Sequence, residues 1–67
     1  MTNSEAKEAL FHRTPVVYNG IKYKYISAII YRFDNNTLLV SAELVDKNKR
    51  SVTIAKVKDV SVYDKQN

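Results

Sequence analysis

The chain of 67 residues has no cysteine, one histidine, one glycine and one proline. Without cysteine the fold has neither disulfide bonds nor a thiolate metal site, and one histidine cannot form an imidazole cluster. A glycine-rich phosphate loop is excluded as well, because it needs several glycines. These absences predict a protein without metal or cofactor, whose stability comes from packing.

Long hydrophobic runs are also missing. No apolar run approaches the roughly 20 residues that span a bilayer, and the opening "MTNSEAKEAL" lacks the order of basic and apolar residues of a secretory signal. We therefore expect a cytoplasmic protein with no membrane association. The length predicts one domain, near the size at which a single core supplies only about 3–5 kcal/mol of net stability.

Side chains that could carry catalysis are scattered along the chain. His12 lies at the end of a predicted helix, and no motif links it to Ser4 or Asp34. The acidic residues fall in turns and strands, without the spacing of a calcium loop or a two-metal site. We expect a protein that is not an enzyme, with no catalytic residues, no bound metal and no small-molecule substrate.

The spacing of apolar residues over 3–12 is typical of an α-helix. Thr2 and Glu5 have the spacing of a capping box, and Pro15 disfavours helical geometry just before it, so the helix should end near His12. A helix of this length is marginal in water and must pack on something. We expect it to dock through Leu10 and Phe11.

After the helix the hydrophobic period falls to two residues, which indicates β-strands. In "PVVYNGIKYKY", Asn19 and Gly20 accept the positive φ of a type I′ hairpin turn. "DNNT" and "DKNKR" predict further turns, and "VKDV" fits one 3₁₀ turn before a last short strand. The alternation turns these side chains inward: Leu38, Val40, Ala42, Leu44, Val52 and Ile54.

Five strands with tight turns within residues 15–63 predict a mainly β fold. We expect a small five-stranded SH3-like barrel with a short N-terminal α-helix and a tail at 64–67, all in a single domain. An OB-like barrel is the alternative, although that fold usually has a helix between its third and fourth strands and none fits 46–51.

The stretch "KYKYISAIIYRF" changes its pattern half-way. Its first half alternates lysine and tyrosine, whereas from Ile26 to Ile30 both faces are apolar apart from Ser27. A bend from one sheet to the other, or a β-bulge, would explain this, and we place it at Tyr25–Ser27. If the helix does not cover Ile26, Ala28 and Ile30, these residues form an interaction surface for another protein or a second copy, so both a monomer and a homodimer stay possible.

The net charge of +4 lies entirely within residues 15–63, which favours a polyanionic partner, although such an excess also serves solubility. Tyrosines beside these cations are typical of surfaces that bind single-stranded nucleic acid or a proline-rich peptide, and equally of ordinary half-buried strands. The residues expected to contact nucleic acid are Lys22, Lys24, Arg32, Lys47, Lys49, Arg50, Lys56 and Lys58. If the turn at 47–50 folds towards the 3₁₀ turn, the last five of these share one end of the barrel.

The segments "TPVVYNGIKYKYISAIIYRF", "LLVSAELVDKNKRSVTIA" and "VKDV" together resemble small hypothetical proteins of Firmicutes mobile elements, such as conjugative transposons and phages. The resemblance covers roughly residues 10–62, a whole domain by size. It implies a bacterial cytosol and an accessory role on a mobile element, and it assigns no catalytic or binding residue.

Overall fold

The computed structural model describes residues 1–63, so the expected tail at 64–67 lies outside the described residues. The fold is mainly β, as expected, but these residues form six strands rather than five. The elements are α1 (Asn3–His12), β1 (Val16–Tyr18), β2 (Ile21–Tyr23), β3 (Tyr25–Asp34), β4 (Thr37–Val45), β5 (Val52–Lys56), a 3₁₀ turn (Val57–Asp59) and β6 (Val60–Val62). They build two antiparallel sheets, ordered β2–β1–β6 and β3–β4–β5.

The helix has the expected bounds, and the capping box is formed. The Glu5 amide donates to Thr2 Oγ1 over 3.1 Å, and the Thr2 amide donates to Glu5 Oε1 over 2.7 Å. These bonds from Thr2 lower the pKa of the Glu5 carboxyl. At the other end Arg13 adopts left-handed geometry, with φ of 52°, and ends the helix before Pro15.

The Asn-Gly hairpin is confirmed. Asn19 and Gly20 have φ of 54° and 76°, and Tyr18 pairs with Ile21 across the turn. A side chain at Gly20 would meet no atom within 4 Å, so the backbone conformation rather than space favours glycine there.

Two irregularities produce the change of pattern in the long stretch. The chain leaves the first sheet at Lys24, whose amide donates to the Val45 carbonyl of the second sheet over 2.8 Å. This change of sheet lies one residue before the expected bend. A β-bulge at Ser27, between Ile26 and Ala28, then shifts the register within the expected range.

The pairing of β4 with its neighbours decides which side chains reach the core. Leu44 and Ala42 are fully buried, as the alternation predicts. On β5 the expectation was wrong: Val52 and Ile54 are each 52% exposed, whereas Ala55 is buried. The register explains this, because Ala55 pairs with Ala42 and residues opposite each other point to the same side of a sheet.

The helix packs on the core side of the second sheet. Ala6 and Ala9 are buried in one cluster with Ile26, Ala42 and Leu44, and Leu10 packs against that cluster. Docking through Phe11 was wrong, because that ring is 78% exposed. The helix therefore leaves the opposite face of the sheet uncovered. Within residues 1–63, no helix has both the length and the apolar character needed to cross a membrane.

Candidate nucleic-acid interface

Three of the predicted cations line one cleft at the edge of the first sheet. Lys22 belongs to β2, Lys24 stands at the change of sheet, and Lys47 begins the turn after β4. The cleft has a volume of about 660 Å³, and its other lining residues are Pro15, Ile21, Tyr23, Asp46 and Asn48. We call it the basic cleft.

Asp46 holds the turn that forms one wall of the basic cleft. Its Oδ1 accepts from the amides of Asn48 and Arg50 over 3.0 and 3.1 Å, and its Oδ2 accepts from the Ser51 hydroxyl over 3.0 Å. The hydrogen bond from the Arg50 amide is the largest cause of the lowered pKa of the Asp46 carboxyl; burial opposes it, and the bonds from Ser51 and Asn48 lower the pKa further. The carboxylate is thus occupied by its own turn.

None of the three lysines of the cleft forms an ion pair with a carboxylate among residues 1–63, although Asp46 contributes one negative charge to the lining. Among residues 1–63 the sole ion pair joins His12 Nε2 to Glu8 Oε1 over 3.2 Å. It lies in the last turns of the helix, and both side chains are well exposed. Lys22 Nζ lies 4.2 Å from the centre of the Tyr63 ring, a cation–π contact that leaves its charge in place. The basic cleft therefore presents unpaired positive charge.

The other predicted cations are distributed over three places. Lys49 and Arg50 lie in the same turn as Lys47, whereas Lys56 and Lys58 line a second cleft of about 380 Å³ beside Met1 and Thr37–Val40. Strand β5 separates this second cleft from the turn, so Lys47 and Lys56 do not share a cleft. Arg32 is exposed on the distal half of β3 and lines neither cleft, although its cross-strand partner Leu39 lines the second one.

The tyrosines do not form a stacking surface with the lysines. Tyr23 is only 7% exposed, and its hydroxyl donates to Thr53 Oγ1 over 3.4 Å. Tyr25 is half-buried, with the Arg13 guanidinium 5.1 Å from its ring centre, and Tyr18 packs against the core. Tyr63 beside Lys22 is the exception. In most of these positions tyrosine serves strand packing.

The predicted interaction surface is divided between the two faces of the second sheet. Ile26 is 1% exposed and belongs to the core. Ala28 and Ile30, beyond the bulge, are half-buried on the opposite side. Glu43 pairs with both Ala28 and Ile54, so Ile54 shares this outer side, and the Ser27 hydroxyl donates to Glu43 Oε1 over 2.6 Å. We call the side chains of Ala28, Ile30, Leu39, Val52 and Ile54 the outer face.

Sequence reasoning overlooked two features. Ile21 is 54% exposed and adds an apolar wall to the basic cleft. Tyr31 and Phe33 are exposed on the distal part of the β3–β4 hairpin, and the expected burial of Leu38 was wrong, because it is 51% exposed there, beyond the end of the core. The second feature had a signal in the sequence. The stretch that forms β3 is long, and a ten-residue strand extends beyond a small core, so its end has nothing to pack against.

Residues 1–63 define a small mainly β fold of two three-stranded sheets and one α-helix, with a lysine-lined cleft at the edge of one sheet. Comparisons with protein-family models, with curated protein sequences and with solved structures found no match.

Proposed function

We propose that this chain is a non-catalytic module that binds nucleic acid through the basic cleft. The observation that carries the proposal is the convergence of Lys22, Lys24 and Lys47 in one cleft, without a carboxylate paired to any of them among residues 1–63. Cations that are not already paired can replace the counterions of a phosphate backbone, which is the main source of affinity for nucleic acid. Lys49 and Arg50, in the turn beside the cleft, extend the contact.

We expect the cleft to bind the phosphate backbone of single-stranded nucleic acid rather than its bases. Its cations come from a strand, a bend and a turn, whereas Tyr23 is packed into the core and offers no ring face for stacking. Affinity should therefore be largely independent of sequence and should fall steeply with salt, by about 0.7 log units per phosphate contact for each tenfold rise in salt.

The test compares two double variants of equal net charge by fluorescence anisotropy on labelled 20-nucleotide DNA and RNA strands. Lys24→Gln with Lys47→Gln should weaken binding about tenfold or more at low salt and reduce the salt slope by about 1.4. Lys56→Gln with Lys58→Gln removes the same charge from the second cleft and should change binding much less.

Two results would overturn the proposal. One is the lack of any complex at tens of micromolar protein in low salt. The other is an equal loss of affinity in both double variants, because that would show a general effect of net charge rather than binding in the cleft.

We also propose that the two sheets form an SH3-like barrel. If β2 and β3 are counted as one bent strand, the chain has five strands in the order β6–β1–β2/β3–β4–β5, with a 3₁₀ turn before the last. This arrangement supports the proposal. The resemblance to small proteins of Firmicutes mobile elements adds two further points to the proposal. They are a location in the bacterial cytosol and an accessory role on a mobile element.

Protein binding through the outer face is the second candidate function. The helix packs on the opposite side of the sheet, so Ile54 and Val52 are each half exposed beside Ala28 and Ile30. Association through this face would depend little on salt, because it buries apolar area. If a second copy is the partner, sedimentation velocity should show a dimer at both 50 and 500 mM salt that Ile54→Glu abolishes; a dimer unaffected by Ile54→Glu would contradict this.

A further inference from the structure

The distal half of the β3–β4 hairpin extends beyond the rest of the second sheet. Strand β5 pairs with β4 only across Ser41–Val45, so residues 31–40 form a ribbon of two strands, and no other strand of residues 1–63 lies beside it. We call residues 31–40 the arm. The molecule measures 42 Å in one direction but only 25 and 22 Å in the others. Two-stranded ribbons are marginally stable in water, so the arm gains from any strand that joins it.

One face of the arm is apolar and uncovered. Tyr31 pairs with Val40, and Phe33 pairs with Leu38, on the side of the sheet that continues into the core. Phe33 is 74% exposed, and Tyr31 and Leu38 are each 51% exposed. Val40 still packs against the core and Leu38 lines the second cleft with Met1, but half or more of the Tyr31, Phe33 and Leu38 side chains stays uncovered among residues 1–63.

The arm also has a free backbone edge. Strand β3 is the outer strand of its sheet, and within residues 1–63 the peptide groups of Ala28–Phe33 form no backbone hydrogen bond except with β4. A free edge of this kind accepts a further strand through main-chain hydrogen bonds. An exposed apolar ladder next to it supplies side-chain contacts for that strand.

We propose that the occupant of this edge is a second copy of the chain, paired antiparallel through β3 around a two-fold axis near Tyr31. In this register Ile29 of each copy faces Phe33 of the other, and the two Tyr31 rings are adjacent. Arg32 of one copy faces Ile30 of the other, so the two Arg32 side chains, which carry the same charge, do not face each other. The edge is thus complementary to itself. This inference does not depend on the basic cleft.

The size of the contact sets the expected strength. In this edge pairing the rings of Tyr31 and Phe33 lie side by side with those of the other copy and are covered only in part, so the total with the strand edges stays below about 1,000 Å². Specific interfaces usually bury about 1,200–2,000 Å². We therefore expect a weak, reversible dimer with a dissociation constant on the order of 100 μM rather than a permanent one.

Sedimentation equilibrium between about 5 and 500 μM protein tests the dimer. Phe33→Glu should weaken dimerisation about tenfold or more, because it places a charge in the apolar ladder. Phe11→Glu is the matched control, since Phe11 is 78% exposed on the helix, and it should leave dimerisation unchanged. Circular dichroism confirms that each variant is folded.

A cross-linking experiment tests the register, and it is clean because the chain contains no cysteine. Residues directly opposite in antiparallel strands have Cα atoms about 4.5–5.5 Å apart, within the range of a disulfide. Tyr31→Cys should therefore form a disulfide-linked dimer rapidly with oxidised glutathione, whereas Phe11→Cys should not.

Three results would overturn the inference. The first is a monomer up to 500 μM. The second is a dimer that Phe33→Glu leaves intact and Ile54→Glu abolishes, which would assign the contact to the outer face. The third is a cross-linking rate of Tyr31→Cys no faster than that of Phe11→Cys.

Discussion

Asp46 shows how one side chain can fix the geometry of a binding surface without touching a ligand. Its two carboxylate oxygens accept three hydrogen bonds from its own turn, and its carbonyl accepts a fourth from the Lys49 amide over 3.0 Å. Lys49 has φ of 58°, a conformation that such local bonds help to hold. The turn then holds Lys47 at the basic cleft.

These bonds predict a dependence of stability on pH. The pKa of Asp46 is below its ordinary value of 3.8 in the folded chain, so its contribution is complete above that value and is lost as the pH falls through the folded pKa. Asp46→Asn should lower the urea midpoint of unfolding at pH 7, and the difference from the original chain should shrink towards pH 2.5. A difference that is constant with pH would contradict this. Glu5→Gln removes the other carboxyl with a lowered pKa, so its effect on the urea midpoint should also shrink towards low pH.

At the scale of elements, local signals were reliable where a few neighbouring residues decide the structure. The capping box of Thr2 and the turn at Asn19–Gly20 depend on hydrogen bonds and backbone preferences within four residues, and both formed as predicted. The bulge at Ser27 was also indicated, because a bend or a β-bulge would explain apolar residues on both faces at that point.

The side of β5 that faces the core could not be obtained in the same way. Its alternation is compatible with either side, and the larger Val52 and Ile54 favoured the wrong one. The pairing of Ala55 with Ala42 decides the side, and the helix residues Ala6 and Ala9 belong to the same tightly packed cluster. Small residues at a contact allow another element to pack closely. The hydrophobic pattern of a single strand does not show where such a contact forms.

The basic cleft shows the same limit. Lys22 and Lys24 are adjacent in the pattern, but Lys47 lies more than twenty residues later and reaches them only because the chain changes sheets at Lys24. The sequence indicated the right residue types without indicating which of the eight cations meet. Their grouping depends on how the two sheets are joined, and that is a property of the tertiary structure.

At the scale of the whole molecule, stability depends on a single small core. The helix and both sheets contribute to one cluster, which includes Ala6 from the helix, Val16 and Val60 from the first sheet, and Leu44 from the second. A domain of this size has about 3–5 kcal/mol of net stability, so no element has much to spare. The arm projects from this core and should contribute little to it.

Two leucines on the same strand and the same face allow a direct test of that division. Leu44 is fully buried, and truncation of a buried leucine to alanine costs about 2–5 kcal/mol, so Leu44→Ala should leave the chain largely unfolded at 25 °C. Leu38 is 51% exposed on the arm, and Leu38→Ala should cost less than about 1 kcal/mol. Urea unfolding followed by circular dichroism at low micromolar protein, where the proposed dimer dissociates, measures both. A similar loss in the two variants would show that the arm is packed into the core, and the free surface assigned to it would then not exist.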